Sequence, residues 1–237
     1  MGDLHRLIVF DLDGTLVDSR RDLADSANEL IVELGGSPLT EEAIGRLVGD
    51  GAATLVRRAL AAAGLRDIRI ALSRFLEIYD TRLLNHTRAY AGIENVVRHA
   101  RALGRVVVLT NKPRKPSERI LRGLGLFELV DELIGGDGPL PRKPDPAALL
   151  KLMADAGVTP AATLMVGDSL IDHETARRAG TRCCLVAFGF GFDSVPADRL
   201  AGDESIARDA AALRRLLDAF AEGTEVAEGT GSHGAAE

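Results

Sequence analysis

Short apolar runs recur along the chain at Leu7–Phe10, Val106–Leu109, Val130–Ile134, Leu164–Val166 and Cys183–Phe188. Most lack polar alternation, which predicts strands buried on both faces. Between them the apolar positions switch to a helical period with clear punctuation. Gly92–Leu103 stops at Gly104, and Ser169–Ala179 stops at Gly180. Asp145 can cap a helix that has Pro146 in its first position and Gly157 past its end. Strand, helix and strand repeated in this way predict an α/β fold, a Rossmann-like parallel sheet with helices on both faces.

One stretch breaks the rhythm. Ser19–Leu34, a segment starting after Thr40, Leu55–Ala63 and Ile68–Leu84 all carry helical periodicity, and no strand candidate falls between 19 and 88. Ser19 and Asp22 stand at capping-box spacing, and Thr40 precedes Glu41 and Glu42 as a helix start should. The pattern therefore predicts an all-helical cap domain over residues 18–88, inserted into a sheet core formed by 1–17 plus 89–221. From residue 222 onward the segment EGTEVAEGTGSHGAAE has little to bury and predicts a disordered tail.

Composition narrows the partners. The 237 residues are 46% hydrophobic and 27% charged with a net charge of −6, so no basic field is offered to nucleic acid or anionic lipid. No run approaches the roughly 18 apolar residues that would span a membrane, and no charged-then-apolar leader opens the chain; the expected location is the cytoplasm. Cys183 and Cys184 are adjacent in an apolar strand, so they predict two core thiols facing opposite layers. Only four of the 29 basic residues are lysine: Lys112, Lys115, Lys143 and Lys151. In an arginine-rich chain, a lysine marks a place where a compact point charge suits the task.

Ligands of an open parallel sheet bind beyond the carboxyl ends of its strands. Asp11 and Asp13 follow the first run, Thr110, Asn111 and Lys112 the second, and Gly167, Asp168, Ser169 and then Asp172 the fourth. Lys143 precedes the helix that starts near Asp145. Three carboxylates against one lysine leave an excess of negative charge on hard oxygen ligands, which suits Mg²⁺, an ion that favours phosphate oxygens for its remaining ligands. Lys143 and the Thr110 hydroxyl can then hold a phosphoryl group. One carboxylate can attack it as nucleophile while another serves as general acid and base.

These residues resemble the haloacid dehalogenase superfamily. The motifs that carry the resemblance are DLDGT at Asp11–Thr15, TN at Thr110–Asn111, Lys143 in RKPDP, and GDSLID at Gly167–Asp172, and the likeness extends over about residues 5 to 220. It implies Asp11 as nucleophile and Asp13 as general acid and base. Mg²⁺ would be held by the Asp11 carboxylate, the Asp13 backbone carbonyl and the Asp168 carboxylate, with Asp172 supporting from behind and Thr110 and Lys143 on phosphate. It also implies a first strand lying between those that bear Thr110 and Asp168. The helical insertion resembles the family's C1 cap, and VGDGAATLVRRAL at Val48–Leu60 resembles the cap of bacterial phosphoglycolate phosphatases, as do LTNKP at Leu109–Pro113 and IGGD at Ile134–Asp137. The loop Gly49, Asp50, Gly51 matches the substrate-specificity loop, and with Asn111 it is the expected substrate contact. Ile171 stands where many relatives have asparagine, and Ala91 where many have proline.

The resemblance thus implies hydrolysis of a small phosphomonoester, 2-phosphoglycolate first among candidates, by a monomer or homodimer. A mutase similar to β-phosphoglucomutase shares the same catalytic residues, and sugar phosphates, nucleotides and pyrophosphate stay open as substrates. Asp13 and the acidic metal site have no use in dehalogenation, and intact Asp11, Asp13, Lys143 and Asp168 argue against a binding module without turnover.

Overall fold

The computed structural model describes residues 6–66, 68–200, 202 and 204–223. Six strands, β1 (Leu7–Phe10), β4 (Arg105–Leu109), β5 (Glu132–Ile134), β6 (Thr163–Gly167), β7 (Arg182–Val186) and β8 (Ser205–Ala207), form one parallel sheet. Their spatial order is β5-β4-β1-β6-β7-β8, so β1 lies between the strands leading to Thr110 and to Asp168. Register brings Phe10 beside Val108 on one flank and Val166 on the other. Three strand ends that are far apart in sequence therefore finish at one sheet edge.

Strand alternation divides the core into two layers. Ile8, Phe10, Val106, Val108, Leu164 and Val166 face one cluster; Leu7, Val9, Val107, Leu109 and Met165 face the other. The first layer is covered by α5 (Ile93–Leu103), α6 (Arg114–Gly123) and α9 (Ala210–Glu222), the second by α7 (Ala147–Ala156) and α8 (Leu170–Ala179). Burial of each such Val, Leu, Ile or Phe side chain contributes roughly 1.5–3 kcal/mol. The adjacent cysteines part as strand geometry requires, Cys184 into the first cluster and Cys183 into the second.

Between β1 and β4 come α1 (Arg20–Glu33), α2 (Glu41–Gly45), α3 (Ala52–Ala62) and α4 (Ala71–Asp80). Leu23, Ile31, Leu60, Phe75 and Ile78 of this insertion belong to the same apolar cluster as the first layer of the sheet. Among the described residues, no helix is long and apolar enough to cross a membrane.

Several expectations need correction. The stretch from 19 to 88 is not free of strand: β2 (Val17–Asp18) and β3 (Arg88–Ala89) pair antiparallel at its two ends and form its neck. Two residues per strand are too few to leave a periodic signal. Ser19 and Asp22 make no capping box, because both side chains are engaged elsewhere. The Ser19 hydroxyl donates to Asp13, and Asp22 accepts from the amides of His86 and Thr87 and from the Thr87 hydroxyl. Asp22 thereby ties the end of the insertion to its beginning. The long helical pattern Ile68–Leu84 yields helix only over Ala71–Asp80. Pro146, not Asp145, occupies the cap of α7, although the Asp145 carboxylate still accepts from the Ala147 amide at 2.9 Å. The third predicted strand shrinks to Glu132–Ile134 behind a 3₁₀ turn at Phe127–Leu129, and the fifth ends at Val186. β8 was not foreseen. The expected tail lies outside the described residues apart from Glu222, which closes α9, and Gly223, which caps it.

Candidate active site

Asp11 follows β1 directly, and its amide donates to Val166 O at 2.9 Å, so the sheet ladder itself fixes it. Thr110 follows β4 and Asp168 follows β6. Lys143 arrives on the loop before α7, with a cis peptide bond to Pro144. Its ammonium lies 2.8 Å from an Asp11 oxygen and donates to Asp172 Oδ1 at 2.6 Å. Asp172 sits in the first turn of α8, where its other oxygen accepts from the Ser169 amide and hydroxyl in a capping box. Carboxylate oxygens of Asp11, Asp168 and Asp172 all lie within 4.8 Å of one another.

Asp168 is enclosed by glycine. Gly14 has φ +90°, and a Cβ there would stand 1.8 Å from Asp168 Oδ2; one on Gly189 would stand 2.3 Å from Asp168 Cβ. Any larger residue at either place would displace the carboxylate. The Gly191 amide donates to Asp168 Oδ2 at 2.7 Å. Neither this clasp nor Phe190, which also lines the site, was foreseen. The signal was the Gly-Phe alternation of Gly189–Phe192 just past the end of β7.

The electrostatics are those of a buried, charge-crowded floor. Burial pushes the Asp11 carboxyl from its ordinary 3.8 up to about 6; the Lys143 ammonium opposes the rise, and the Asp172 and Asp13 charges add to it. Burial also drives Asp168 well above the carboxylate range, with Asp172 and Asp11 pushing the same way. Burial works against the Lys143 charge, but Asp11 and Asp172 outweigh it and hold the group above the ordinary lysine range. Two carboxyls that resist ionisation in a set of hard oxygen ligands suit a small divalent cation, whose charge would remove the penalty. The residues present therefore fit Mg²⁺.

A small cavity of about 60 Å³ opens on this floor and is walled by the insertion. Asp11, Asp13, Thr110, Asn111, Lys143 and Asp168 line it from the sheet side, and Gly49 and Gly51 from the loop before α3. The Asn111 amide group donates to the backbone oxygens of both Gly49 and Lys143, each at 2.9 Å, and so joins the insertion loop to the lysine loop. Asp50 is not brought in. Its carboxylate pairs with Arg58 on the insertion.

Lys112 is the residue that sequence reasoning came nearest to and missed. It is only 7% exposed, and its ammonium donates to both Asp13 oxygens at 3.0 Å. Burial disfavours its charge, but Asp13 and Tyr79 hold it above the ordinary lysine range. The rarity of lysine in this chain was the available signal.

Comparison with known proteins shows the family. A family model described as haloacid dehalogenase-like hydrolase matches residues 5–180. Phosphoglycolate phosphatase of Rhodospirillum rubrum is 39% identical over 81% of this chain and 83% of its own length. The enzyme of the same name from Pseudomonas putida is 40% identical over 80% of this chain and 72% of its own. Among solved structures, a protein of Haemophilus somnus 129PT described as a predicted phosphoglycolate phosphatase superposes with a TM-score of 0.82 at 29% identity, covering 91% of this chain and 99% of that one.

Proposed function

The chain belongs to the haloacid dehalogenase-like hydrolases, and from that premise we propose that it is a Mg²⁺-dependent phosphatase whose substrate is 2-phosphoglycolate. The observation that carries the proposal is the convergence of Asp11, Asp13, Thr110, Lys143 and Asp168 on one small cavity from four separate segments. The names of the relatives, at 39% and 40% identity, support the substrate.

In this reading an Asp11 oxygen attacks phosphorus while Asp13 passes a proton to the departing alcohol oxygen. Water then attacks the phosphorus of the aspartyl-phosphate, Asp13 takes its proton, and the bond to Asp11 breaks to release inorganic phosphate. Lys143 and the Thr110 hydroxyl hold the phosphoryl oxygens throughout. Ser19 and Lys112, which both donate to Asp13, fix its orientation. The Asp11 and Asp168 carboxylates and the Asp13 backbone carbonyl would hold the Mg²⁺, with Asp172 anchoring Lys143 behind them. When bound, the ion supplies positive charge that lets Asp11 stay ionised and approach an anionic phosphoryl group.

The insertion acts as a cap in this proposal. Leu23, Val48, Leu55 and Phe75 present an apolar wall to the charged floor. Excluding water there strengthens each electrostatic contact below. The test is kcat/KM with Mg²⁺ over phosphoglycolate, sugar phosphates, nucleotides and pyrophosphate, for the natural chain and for Asp11→Asn. A marked preference for phosphoglycolate, abolished by the substitution, is the expected result. Full turnover by Asp11→Asn removes Asp11 as nucleophile, and a preference for another ester reassigns the substrate.

A further inference from the structure

The mechanism leaves one pair of groups in the cavity wall without a full task. Tyr79, on α4, lines the cavity with only 3% of its surface exposed, and its buried hydroxyl has no hydrogen-bond partner among the described residues. Burial pushes that phenol up to about 12, so it stays a proton donor at any working pH. Across from it stands Lys112, whose ammonium rests 4.6 Å from the centre of the Tyr79 ring. The ammonium has three N–H donors and meets Asp13 through two oxygens at equal distance. One N–H donor is therefore left over.

A buried hydroxyl without a partner is costly in a finished structure, and each such group calls for an explanation. A buried cation beside it narrows the explanation to an anion. The rest of the upper wall offers no other charge: Leu23, Val48, Ala52, Leu55, Phe75 and Leu76 are apolar. Resting on the phosphatase reading above, we propose that Lys112 and the Tyr79 hydroxyl together hold a second anionic group of the substrate, the carboxylate of phosphoglycolate. The phosphoryl group lies on Asp11, Thr110 and Lys143. The carboxylate lies one short carbon chain away, between core and cap. Specificity follows from what is lost with other esters. A neutral hydroxymethyl in place of the carboxylate leaves the Tyr79 hydroxyl and the remaining Lys112 N–H without a charged acceptor. A sugar would have to fit against an apolar roof. The geometry thus selects short esters that carry a carboxylate.

The test compares kcat/KM for 2-phosphoglycolate with kcat/KM for 2-hydroxyethyl phosphate, in which CH₂OH replaces the carboxylate. The natural chain, Lys112→Gln and Tyr79→Phe are measured. Tyr79→Phe removes only the hydroxyl and keeps the ring that stacks on Phe75 at 5.8 Å, so it serves even where Lys112→Gln folds poorly. The expected result is a ratio that falls about 10-fold to 100-fold in Lys112→Gln and about 10-fold in Tyr79→Phe, as for hydrogen bonds to a charged group. Equal losses on both esters, with the ratio unmoved in both variants, assign Lys112 to Asp13 alone and overturn the inference while the phosphatase stands. A natural chain that hydrolyses both esters equally does the same. A natural chain inactive on every phosphomonoester overturns the reading beneath, and the inference with it.

Discussion

Asp22 in the insertion and Asp168 at the sheet edge are both aspartates almost closed to solvent, 1% and 2% exposed. Each stands in a cluster whose ligand atoms lie within 4.8 Å of one another, Asp25 and His86 around the one, Asp11 and Asp172 around the other. By spacing alone the two are equivalent. Their hydrogen bonds separate them. Asp22 accepts from two backbone amides and a hydroxyl, at 2.7 to 3.0 Å. Asp168 accepts from the Gly191 amide, while the neighbouring carboxylates push its proton affinity upward. A buried carboxylate with its donors in place is finished and serves the fold. One held short of donors among like charges stores a penalty that a cation can relieve. The proximity of acids is thus a poor guide to function in this chain, and the count of donors a good one.

The comparison breaks most visibly with Asp168→Asn. Removing that charge takes away a proposed metal ligand, so kcat/KM with Mg²⁺ should fall on the order of 1,000-fold, the scale of losing one transition-state electrostatic partner. Stability should hold or rise, since a buried like charge has gone. Mg²⁺ should raise Tm in the natural chain and leave the variant unmoved. Acidity gives the same contrast by another route. Asp11 is pushed from 3.8 to about 6 in the folded chain, so the folded state holds that proton more tightly than the unfolded one. Its contribution to stability is complete below about pH 4 and is lost as pH rises through 6. In the proposed site protons and Mg²⁺ compete for this carboxylate, so the Tm gain from Mg²⁺ should shrink between pH 7.5 and pH 5. A gain that grows on acidification would place the ion elsewhere.

Asp22→Ala should do the reverse, weakening the fold and leaving the chemistry. The His86 and Thr87 donors lose their shared acceptor inside the protein, a loss of roughly 2–4 kcal/mol. For a chain of this size that lowers Tm by roughly 5–15 °C in thermal unfolding. Mg²⁺ should not reverse the loss, and kcat well below the new Tm should stay within about tenfold of the natural value. A variant with natural Tm and no activity would put the comparison on its head.

How much of this was legible in advance follows the same division. The strands of the sheet and the ends carrying Asp11, Thr110 and Asp168 could be read because each is a local signal: an apolar run, then a polar residue that a strand end makes conspicuous; the central place of the first strand came only with the family resemblance. Asp22 was misread because its partners, His86 and Thr87, lie some 65 residues away, and no local pattern announces a latch across the length of an insertion. Its spacing from Ser19 imitated a cap. Lys112 was visible as a rare lysine next to Thr110 and Asn111, yet its place against Asp13 and Tyr79 depends on α4 folding back over the sheet edge. Gly191 was hidden because a backbone amide has no letter in the sequence. Local propensity and strand ends were readable; closure of the insertion onto the core was not.

The smallest effect expected is at Asp50. It sits between two glycines that line the cavity, and its neighbours' position makes it the natural candidate for a specificity contact. The structure turns it outward to Arg58, with the two side chains 32% and 42% exposed. Pairs of that exposure contribute about 0.2–1 kcal/mol and weaken with salt. Asp50→Asn should therefore shift Tm by less than roughly 4 °C and change kcat/KM for phosphoglycolate by less than about threefold. The reason is electrostatic as well as geometric. An acid facing a substrate with two anionic groups would oppose binding, so holding Asp50 on Arg58 keeps negative charge away from the cavity mouth. If the substitution instead raises KM tenfold or more at unchanged kcat, the carboxylate makes a binding contact when the loop meets its ligand, and the insertion contributes a charged group of its own to a site otherwise charged only from the sheet side.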